Sequence, residues 1–317
     1  MTSDFGDSSG EKKRKIDKVI ADSKNSFAAR RKLLSDRERE GRELFTNADG
    51  EPIIRQSIVA YLDELGTSQR LSRYNNLQLR EDLELYSQTR SLMHDDLMFD
   101  SEQQRALYFS DNIVVVEPID PKLVGSPHSE MFSQLISVAA YQLNLAIRGR
   151  FLRGGIAVGD AYADSTFVTG PAHVQAVQLE ETRADNPRVI LSESSINIAL
   201  CGIRDLPADE SPYGQLLALD DDGQIFVNYL TMIFEDEMFD GGVSAEIGLI
   251  RHKSALESKL REFTSGKIFR KYRWSAQYHN HFVKNTHFNG RRDLMIGSGA
   301  TGSFMGFAEA AQIVLES

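Results

Sequence analysis

Apolar positions along the chain fall into strand-like runs and stretches with helical spacing. Residues 53–62 are rich in β-branched and aromatic side chains and predict a strand. Residues 67–93 predict helices, and residues 106–117 predict a second strand segment that is interrupted by polar residues at 110–112. Apolar residues recur every three or four positions over 129–148, which predicts an amphipathic helix.

The second half of the chain continues this alternation. The predicted elements are a hairpin pair over 152–168, a helix over 171–181, strands over 188–191 and 224–230, and a late helix over 254–278. Strands that alternate with helices, with some strands in hairpins, predict an α+β fold in which helices cover a mixed sheet.

Shifts in composition predict three regions. Residues 1–50 start with small polar residues and continue with mixed charges at loosely helical spacing, which predicts a flexible or helical N-terminal arm. Residues 51–240 hold the predicted strands and most of the predicted helices, so we expect them to form one domain. Residues 241–317 are predicted to form a helical C-terminal extension.

Charge and cysteine content narrow the classes of function. The 317 residues include 46 acidic and 36 basic side chains, and the net charge of −10 disfavours direct binding to nucleic acid. One cysteine cannot form an internal disulfide, and no CxxC pair suggests zinc. The start lacks the apolar stretch of a secretory signal, and no apolar run is long enough to span a membrane. We therefore expect a soluble cytoplasmic protein.

The segment 60–68 combines features of a turn that binds phosphate and metal. An apolar strand is predicted to end at Asp63, Gly66 permits a tight turn, and a helix is predicted to begin at Thr67 and Ser68. Backbone N–H groups at a helix start can bind phosphate oxygens, and the aspartate can hold a divalent cation that bridges them. The alternative is that Asp63 is an ordinary turn residue.

A second carboxylate, Asp111, lies inside a strongly apolar segment. Phe109 and Ile113 flank it, and burying a charge beside them is costly unless the charge is paired or bound to metal. Asp111 is therefore a second candidate metal ligand. The alternative is an exposed hairpin turn, and Asp160, which follows Gly159, is a rival candidate for the same role.

Five segments in order resemble the class III nucleotidyl cyclases, over about residues 52–235. They are YLDELGTS (61–68), SD (110–111), LRGGI (152–156), GPAHVQAVQLE (170–180) and VILSE (189–193). The resemblance implies a class III nucleotidyl cyclase-like sheet, with residues 51–240 as the catalytic domain. It also implies a head-to-tail homodimer with active sites at the interface.

The resemblance assigns roles to the two aspartates. Asp63 and Asp111 would hold two Mg²⁺ or Mn²⁺ ions, with a further ligand from the backbone carbonyl next to Asp63, at Glu64. One ion activates the ribose 3′-hydroxyl of a nucleoside triphosphate, and the other offsets charge on the leaving pyrophosphate.

Two positions of the 170–180 segment depart from the family pattern. Val174 stands where the family has an asparagine that orients the ribose, and Gln178 stands where it has the arginine that stabilises the transition state. Either the site is rebuilt or activity is lost. The residues that could substitute for the arginine are Gln178, His173, Gln175, Arg150 and Arg153.

The positions that read a purine in the family also differ. Leu107 replaces a lysine and Phe167 replaces an aspartate. Tyr61 lies two residues before Asp63, so the period of a strand places both on one face, where Tyr61 would narrow the base pocket. The alternative is that Tyr61 is a core residue.

These substitutions resemble the bacterial anti-phage pyrimidine cyclases of the Pycsar type. That resemblance implies conversion of UTP to cyclic UMP as a signal to a separate effector, with CTP and purine triphosphates as alternative substrates. A catalytically silent cyclase fold that binds a nucleotide or a partner protein is the alternative from another class.

Three other patterns are interpreted as structural. The GxGxxG segment 297–302 lacks a following βαβ unit, and His279, His281 and His287 match no strong zinc pattern. The acidic run 220–222 is predicted to be a solvated loop.

Overall fold

The computed structural model describes residues 44–72, 74–94, 104–120, 122, 127–164, 167–204, 212–235, 244–297 and 302–316. It divides the chain into a unit over residues 1–53 and a compact unit over residues 54–317. The predicted N-terminal arm lies outside the described residues, except for its last few positions. In the first unit, a bridge joins Thr46 to Pro52, and the Asn47 side chain accepts hydrogen bonds from the backbone N–H groups of Asp49 and Glu51.

A mixed sheet of nine strands forms the second unit's centre. The strands are β1 (Arg55–Glu64), β2 (Arg105–Phe109), β3 (Asn112–Pro118), β4 (Leu152–Ala163), β5 (Val168–Thr169), β6 (Val189–Leu191), β7 (Leu217–Leu219), β8 (Ile225–Val227) and β9 (Met305–Gly306). Their order is β2-β3-β1-β4-β6-β8-β7-β9, with β5 paired to β4. The β4–β6 pair is parallel and the other pairs are antiparallel.

Helices cover this sheet. They are α1 (Thr67–Leu71), α2 (Asn76–His94), α3 (His128–Ala146), α4 (Pro171–Thr182), α5 (Glu193–Arg204), α6 (Pro212–Leu216), α7 (Ala245–Glu262), α8 (Gly266–Lys284) and α9 (Phe307–Glu316), with 3₁₀ turns at Tyr229–Phe234 and Arg292–Leu294. The predicted α+β fold with a helix-covered mixed sheet is therefore confirmed. None of the helices described is both long and apolar enough to cross a membrane.

Strand β1 separates two environments by the alternation of its side chains. Ile58, Ala60 and Leu62 are fully buried in the main apolar core, into which α3 also packs. Tyr61 and Asp63 project from the opposite face and stay partly exposed. Consecutive residues at the end of β1 thus serve different sides of the sheet.

The polar interruption predicted at residues 110–112 is a tight hairpin turn. Phe109 pairs with Asn112, so Ser110 and Asp111 form the turn between β2 and β3. Ser110 has a φ of 53°, in the left-handed region that favours glycine. The two predicted strand halves are confirmed.

Glycine lets helix α4 approach strand β4 closely. A Cβ built on Gly155 would lie 2.4 Å from the carbonyl oxygen of Ala176 and 2.6 Å from Cβ of Leu179. Any side chain at Gly155 would therefore push α4 away from the sheet. The same does not hold at Gly159, where the nearest atom would be 3.6 Å away, an ordinary contact.

Several predicted elements have different bounds in the structure. The hairpin pair over 152–168 is one long strand, β4, followed by the two-residue β5. The strand over 224–230 ends at Val227, where a 3₁₀ turn follows. The late helix over 254–278 is two helices, because the chain breaks after Glu262 and restarts at Gly266 with a φ of 85°.

The C-terminal region is more than a helical extension. Strand β9 pairs with β7 at the sheet edge, and Trp274 of α8 packs edge-on against Phe226 of β8 with ring centroids 5.5 Å apart. Residues 54–317 form one compact unit. The division at residue 240 stays a prediction.

Candidate functional site

The site begins with Asp63 on the face of β1 that is partly exposed. Asp63 lies opposite Asn112 of β3 and opposite Arg153 of β4. Its carboxylate accepts a hydrogen bond from Arg153 Nε at 3.1 Å and forms an ion pair with Nη2 at 3.1 Å. The acid therefore sits at the centre of the sheet with a cation from the neighbouring strand.

Asp111 lies in the turn that adjoins the end of β1. Its backbone carbonyl accepts a hydrogen bond at 3.1 Å from the N–H of Glu64, the residue after Asp63. The negative charge of Asp111 contributes to raising the pKa of the Asp63 carboxyl. The structure thus brings together the two acids that the sequence singled out, although they are 48 positions apart.

Burial is the main influence on Asp63. Desolvation raises the pKa of its carboxyl, the Arg153 guanidinium opposes that rise, and the charges of Asp111 and Glu64 add to it. A carboxylate in this condition gains from any further cation nearby. The electrostatics of the site therefore favour cation binding at Asp63.

Arg153 bridges two acids. Besides Asp63, it pairs with Glu180 of α4, whose side chain is buried, at 2.6 Å. While both ion pairs are formed, the charge of Arg153 is already balanced by two carboxylates, so Arg153 does not neutralise a phosphate. Sequence reasoning missed Glu180 as a site residue, although the residue closes the helix segment that carries the cyclase resemblance.

Tyr61 shares the face of Asp63, as the strand period predicts. Its ring lies 6.4 Å from that of His173 on α4, in a tilted arrangement. Burial and the nearby Asp63 charge raise the pKa of Tyr61 to about 12, so its hydroxyl stays protonated at neutral pH. Tyr61 can thus donate a hydrogen bond beside the acids while partly closing the space above them.

Gln178 lies on the exposed side of α4. Glu180, two residues later, is buried toward the sheet, whereas Gln178 faces solvent. No hydrogen bond joins its side chain to Asp63 or Asp111 in the described part of the chain. Gln178 can therefore reach a ligand or a second molecule that covers this face, but it does not touch the acids.

The turn after β1 is built as the sequence predicts, except at Thr67. Gly66 has a φ of 83°, which only glycine adopts freely, and α1 follows for five residues. Thr67 is buried and its hydroxyl donates to the backbone carbonyl of Glu64 at 3.0 Å. The Thr67 hydroxyl thus caps backbone, and Ser68 is the exposed hydroxyl of this turn.

The Glu64 carboxylate belongs to a different cluster from Asp63. It projects to the other face of β1, where it accepts hydrogen bonds from Arg70 at 3.2 Å, Arg150 at 3.0 Å and the Tyr86 hydroxyl. Its side chain is 3% exposed. Any role of Glu64 in metal binding is therefore limited to its backbone carbonyl, which already accepts the Thr67 hydroxyl.

The predicted solvated loop at 220–222 is wrong for its first residue. Asp220 is 5% exposed, pairs with the fully buried Arg188, and accepts a hydrogen bond from Trp274 Nε1 at 2.8 Å. The carboxylates of Asp220, Asp221 and Asp222 lie within 4.8 Å of one another, a spacing that could hold a metal ion. Arg188 also pairs with Asp222, so two of these three carboxylates already have a cation beside them.

Comparisons with known proteins find likeness only among solved structures. No family model matches the chain, and no curated protein matches it. The chain is similar to the crystal structure of a class III adenylyl cyclase-like ATP-binding protein from Pseudomonas aeruginosa, with 14% identity and a TM-score of 0.34. The match covers 70% of this chain and 43% of that one, so this chain spans less than half of its length. At these values the likeness does not by itself assign an activity.

Proposed function

We propose that the chain is a nucleotidyl cyclase that converts a pyrimidine nucleoside triphosphate, with UTP favoured, to the 3′,5′-cyclic nucleotide and pyrophosphate. The observation that carries the proposal is the position of Asp111 in the turn beside the end of the central strand β1, where its backbone carbonyl accepts the N–H of Glu64 and its charge acts on Asp63. The order of the five sequence segments that resemble class III cyclases supports the same activity. An anti-phage signalling role, acting through a separate effector, rests on the resemblance alone.

The donor set fits divalent cations. Two carboxylates, one with its pKa raised by burial, supply the hard oxygen ligands that Mg²⁺ and Mn²⁺ prefer. Such ions would supply Lewis-acid activation of the 3′-hydroxyl and charge neutralisation at the phosphates. Asp63 and Asp111 would hold them, and Arg153 would shift its ion pairing toward Glu180 when a metal takes its place at Asp63.

The chain's own residues have separable tasks in this proposal. Asp63 and Asp111 bind and orient, and Glu180 keeps Arg153 in place beside them. The exposed Gln178 donates a neutral hydrogen bond where the family has an arginine. That exchange weakens charge stabilisation of the transition state, so we expect slow turnover.

Tyr61 supports a preference for a small base. Its ring and that of His173 narrow the face above the acids. The residues at the family's purine-reading positions, Leu107 and Phe167, carry no hydrogen-bonding side chain. A pocket that has no hydrogen-bond partners for the edge of a purine cannot select purines through such bonds.

A homodimer is the proposed active form. Phe109, Phe167 and Val174 are large apolar residues with 51%, 57% and 54% of their surface exposed. Phe109 adjoins the Asp111 turn, and Val174 lies on α4 with Gln178. Apolar exposure around a polar site is typical of a surface that a second subunit covers.

A four-nucleotide assay tests the activity. The purified chain is incubated with Mn²⁺ and each of UTP, CTP, ATP and GTP, and cyclic nucleotide and pyrophosphate are quantified by chromatography. We expect one pyrimidine product to dominate. Asp63→Asn and Asp111→Asn should each abolish it, whereas Asp160→Asn, which changes an exposed acid on β4, should leave it within about twofold.

Two results of this assay would contradict parts of the proposal. Equal turnover in Asp63→Asn and the unmodified chain would remove the proposed catalytic role of the acid pair. A dominant purine product would leave the acid pair in place but overturn the role given to Tyr61.

The Arg153 bridge favours a second candidate, a catalytically silent nucleotide-binding domain. A guanidinium already neutralises Asp63, and Gln178 replaces the catalytic arginine. This candidate predicts a calorimetric signal with a nucleoside triphosphate and no pyrophosphate release. Arg153→Gln separates the two, because it should raise metal-dependent turnover only if the chain is a cyclase in which Arg153 competes with the cation.

A further inference from the structure

A second cleft lies on the face of β1 that points away from Asp63. It has a volume of about 730 Å³, within the usual range of small-molecule sites. The turn after β1, the end of α3, and helices α7 and α8 enclose it. Glu64 lines the cleft, whereas Asp63 and Asp111 do not. Because adjacent strand residues point to opposite faces, this cleft lies on the other side of β1 from the Asp63 side chain.

The cleft concentrates positive charge in an acidic protein. Its cationic lining residues are Arg70, Arg148, Arg150, Arg251 and Lys259. Its two carboxylates are Glu64 and Glu262. Asp82 does not line the cleft but pairs with two of its arginines, Arg70 and Arg150. When these three acids are set against the five cations, the local charge is +2. The whole chain carries −10, so the cleft is where an anion meets the least repulsion.

Two of these cations are held rigidly by buried acids. Arg70 and Arg150 each pair with both Glu64 and Asp82, which are nearly inaccessible to solvent. The pairing fixes the planes of both guanidinium groups across three elements of the fold. Arg148 is fixed by its own donation to the backbone and side-chain oxygens of Asn144, at 2.9 and 3.2 Å.

The remaining cations face the solvent side of the cleft. Arg251 is exposed and has no ion-pair partner among the residues that the structure describes. Lys259 lies 3.6 Å from Glu262, on the same turn of α7. Exposed pairs of this kind are weak and exchange readily for a better anion. The cleft therefore combines a rigid cationic floor with two adaptable cations at its rim.

We propose that this cleft binds a phosphate-bearing anion, of the size of a nucleotide's polyphosphate group. Guanidinium groups match phosphate oxygens in geometry and charge. Cations contributed by α1, the turn after α3, and α7 suit a compact multivalent anion better than they suit a single carboxylate group. None of its cations forms an ion pair with Asp63 or Asp111 in the described structure, although the cleft shares the Gly66 turn with the segment predicted to bind phosphate.

Titration calorimetry with sodium tripolyphosphate tests the site. The full chain is titrated at low ionic strength with chelator present, so that metal-dependent binding at the acid pair does not contribute. We expect saturable binding that weakens about tenfold in Arg251→Glu and further in the Arg251→Glu/Lys259→Glu variant. Arg261→Glu is the matched control, because Arg261 is an exposed cation of α7 outside the cleft. It should change the affinity by less than about twofold.

Two further arms locate and define the ligand. Asp63→Asn should bind tripolyphosphate like the unmodified chain, and loss of binding there would place the anion at the acid pair and overturn the proposal. Titration with UTP and ATP distinguishes the sources. Tighter binding than tripolyphosphate identifies a nucleotide site, and equal binding identifies recognition of the polyphosphate alone. No binding to the unmodified chain, or equal loss in Arg261→Glu and Arg251→Glu, would also overturn the proposal.

Discussion

At the scale of single residues, Asp63 is held in an electrostatic balance. Burial and the Asp111 charge raise the pKa of its carboxyl, and Arg153 works against that rise. A raised carboxyl pKa means that ionised Asp63 costs folding free energy at neutral pH, and that stability declines as pH rises through the folded-state pKa. A cation that binds the ionised form offsets this cost.

Mn²⁺ should therefore stabilise the protein. We expect millimolar Mn²⁺ to raise the melting temperature, at about 2–4 °C for each kcal/mol of binding free energy. Asp63→Asn should fold normally, because Arg153 keeps its pairing with Glu180, yet lose the Mn²⁺ response. Differential scanning fluorimetry with and without Mn²⁺ measures this.

Asp160→Asn is the control for the metal response. Asp160 is an exposed acid on β4 and should leave the Mn²⁺ shift unchanged. A shift of the same size in Asp63→Asn would show that the stabilising ion binds elsewhere, for example at Asp220–Asp222.

At the scale of elements, the contact between α4 and the sheet sets the geometry of the site. Helix α4 carries Gln178 and Glu180, and it rests on β4 at Gly155. The alternation of β1 adds a second constraint, since it sends Asp63 toward α4 and Glu64 toward the cationic cleft. Small errors in this packing would move both groups of charges.

Substituting Gly155 should disturb that contact. In Gly155→Ala the new Cβ meets backbone at 2.4 Å, so we expect a loss of about 1–3 kcal/mol in the free energy of unfolding. Urea denaturation followed by circular dichroism measures it. Gly159→Ala on the same strand should lose less than about 1 kcal/mol, since its Cβ makes only ordinary contacts. Equal losses in the two variants would contradict close packing at Gly155.

At the scale of the whole molecule, a series of buried hydrogen bonds connects helices α7 and α8 of the C-terminal region to the 3₁₀ turn at Tyr229–Phe234, which follows β8. His279 Nε2 donates to the Leu294 carbonyl at 2.9 Å, so its Nδ1 must accept from His252 Nδ1 at 3.0 Å. His252 Nε2 then accepts from the Tyr229 hydroxyl at 2.9 Å. Both imidazoles are fully buried, and this set of hydrogen bonds can form only while both imidazoles are neutral.

The hydrogen bonds that link Tyr229, His252 and His279 should make the protein sensitive to acid. Burial lowers the pKa of His279 to about 4 and lowers that of His252 well below its usual value. The unfolded state takes up these protons at a pH of about 6.5, so stability falls as pH drops below that value. We expect each histidine to cost about 1 kcal/mol between pH 7.5 and 5.5.

Denaturation at both pH values measures this effect. His279→Gln should reduce the difference in unfolding free energy between pH 7.5 and 5.5, whatever it does to stability at either pH. His287→Gln, which changes an exposed histidine beyond the end of α8, should leave the difference unchanged. An undiminished pH dependence in His279→Gln would show that other groups cause it.

Local pattern was sufficient for most elements in the first half of the chain. The run 53–62, the polar break at 110–112 and the spacing over 129–148 predict β1, the β2–β3 hairpin and α3, because strand and helix periods are written in neighbouring residues. Where stability came from distant partners, the pattern misled. Asp220 looked solvated, but Arg188 and Trp274, far away in sequence, bury it.

The sequence alone determined the α+β class, the candidate acids and the turn at Gly66, since each depends on local periodicity or on the conformational freedom of one residue. Only the tertiary structure decided that the Asp111 turn lies beside the end of β1, that Arg153 pairs with both Asp63 and Glu180, and that Glu64 faces a cationic cleft instead. Those outcomes depend on strand register and on which face each strand presents to which helix. Register is fixed by packing across the whole sheet, which no local stretch of sequence contains.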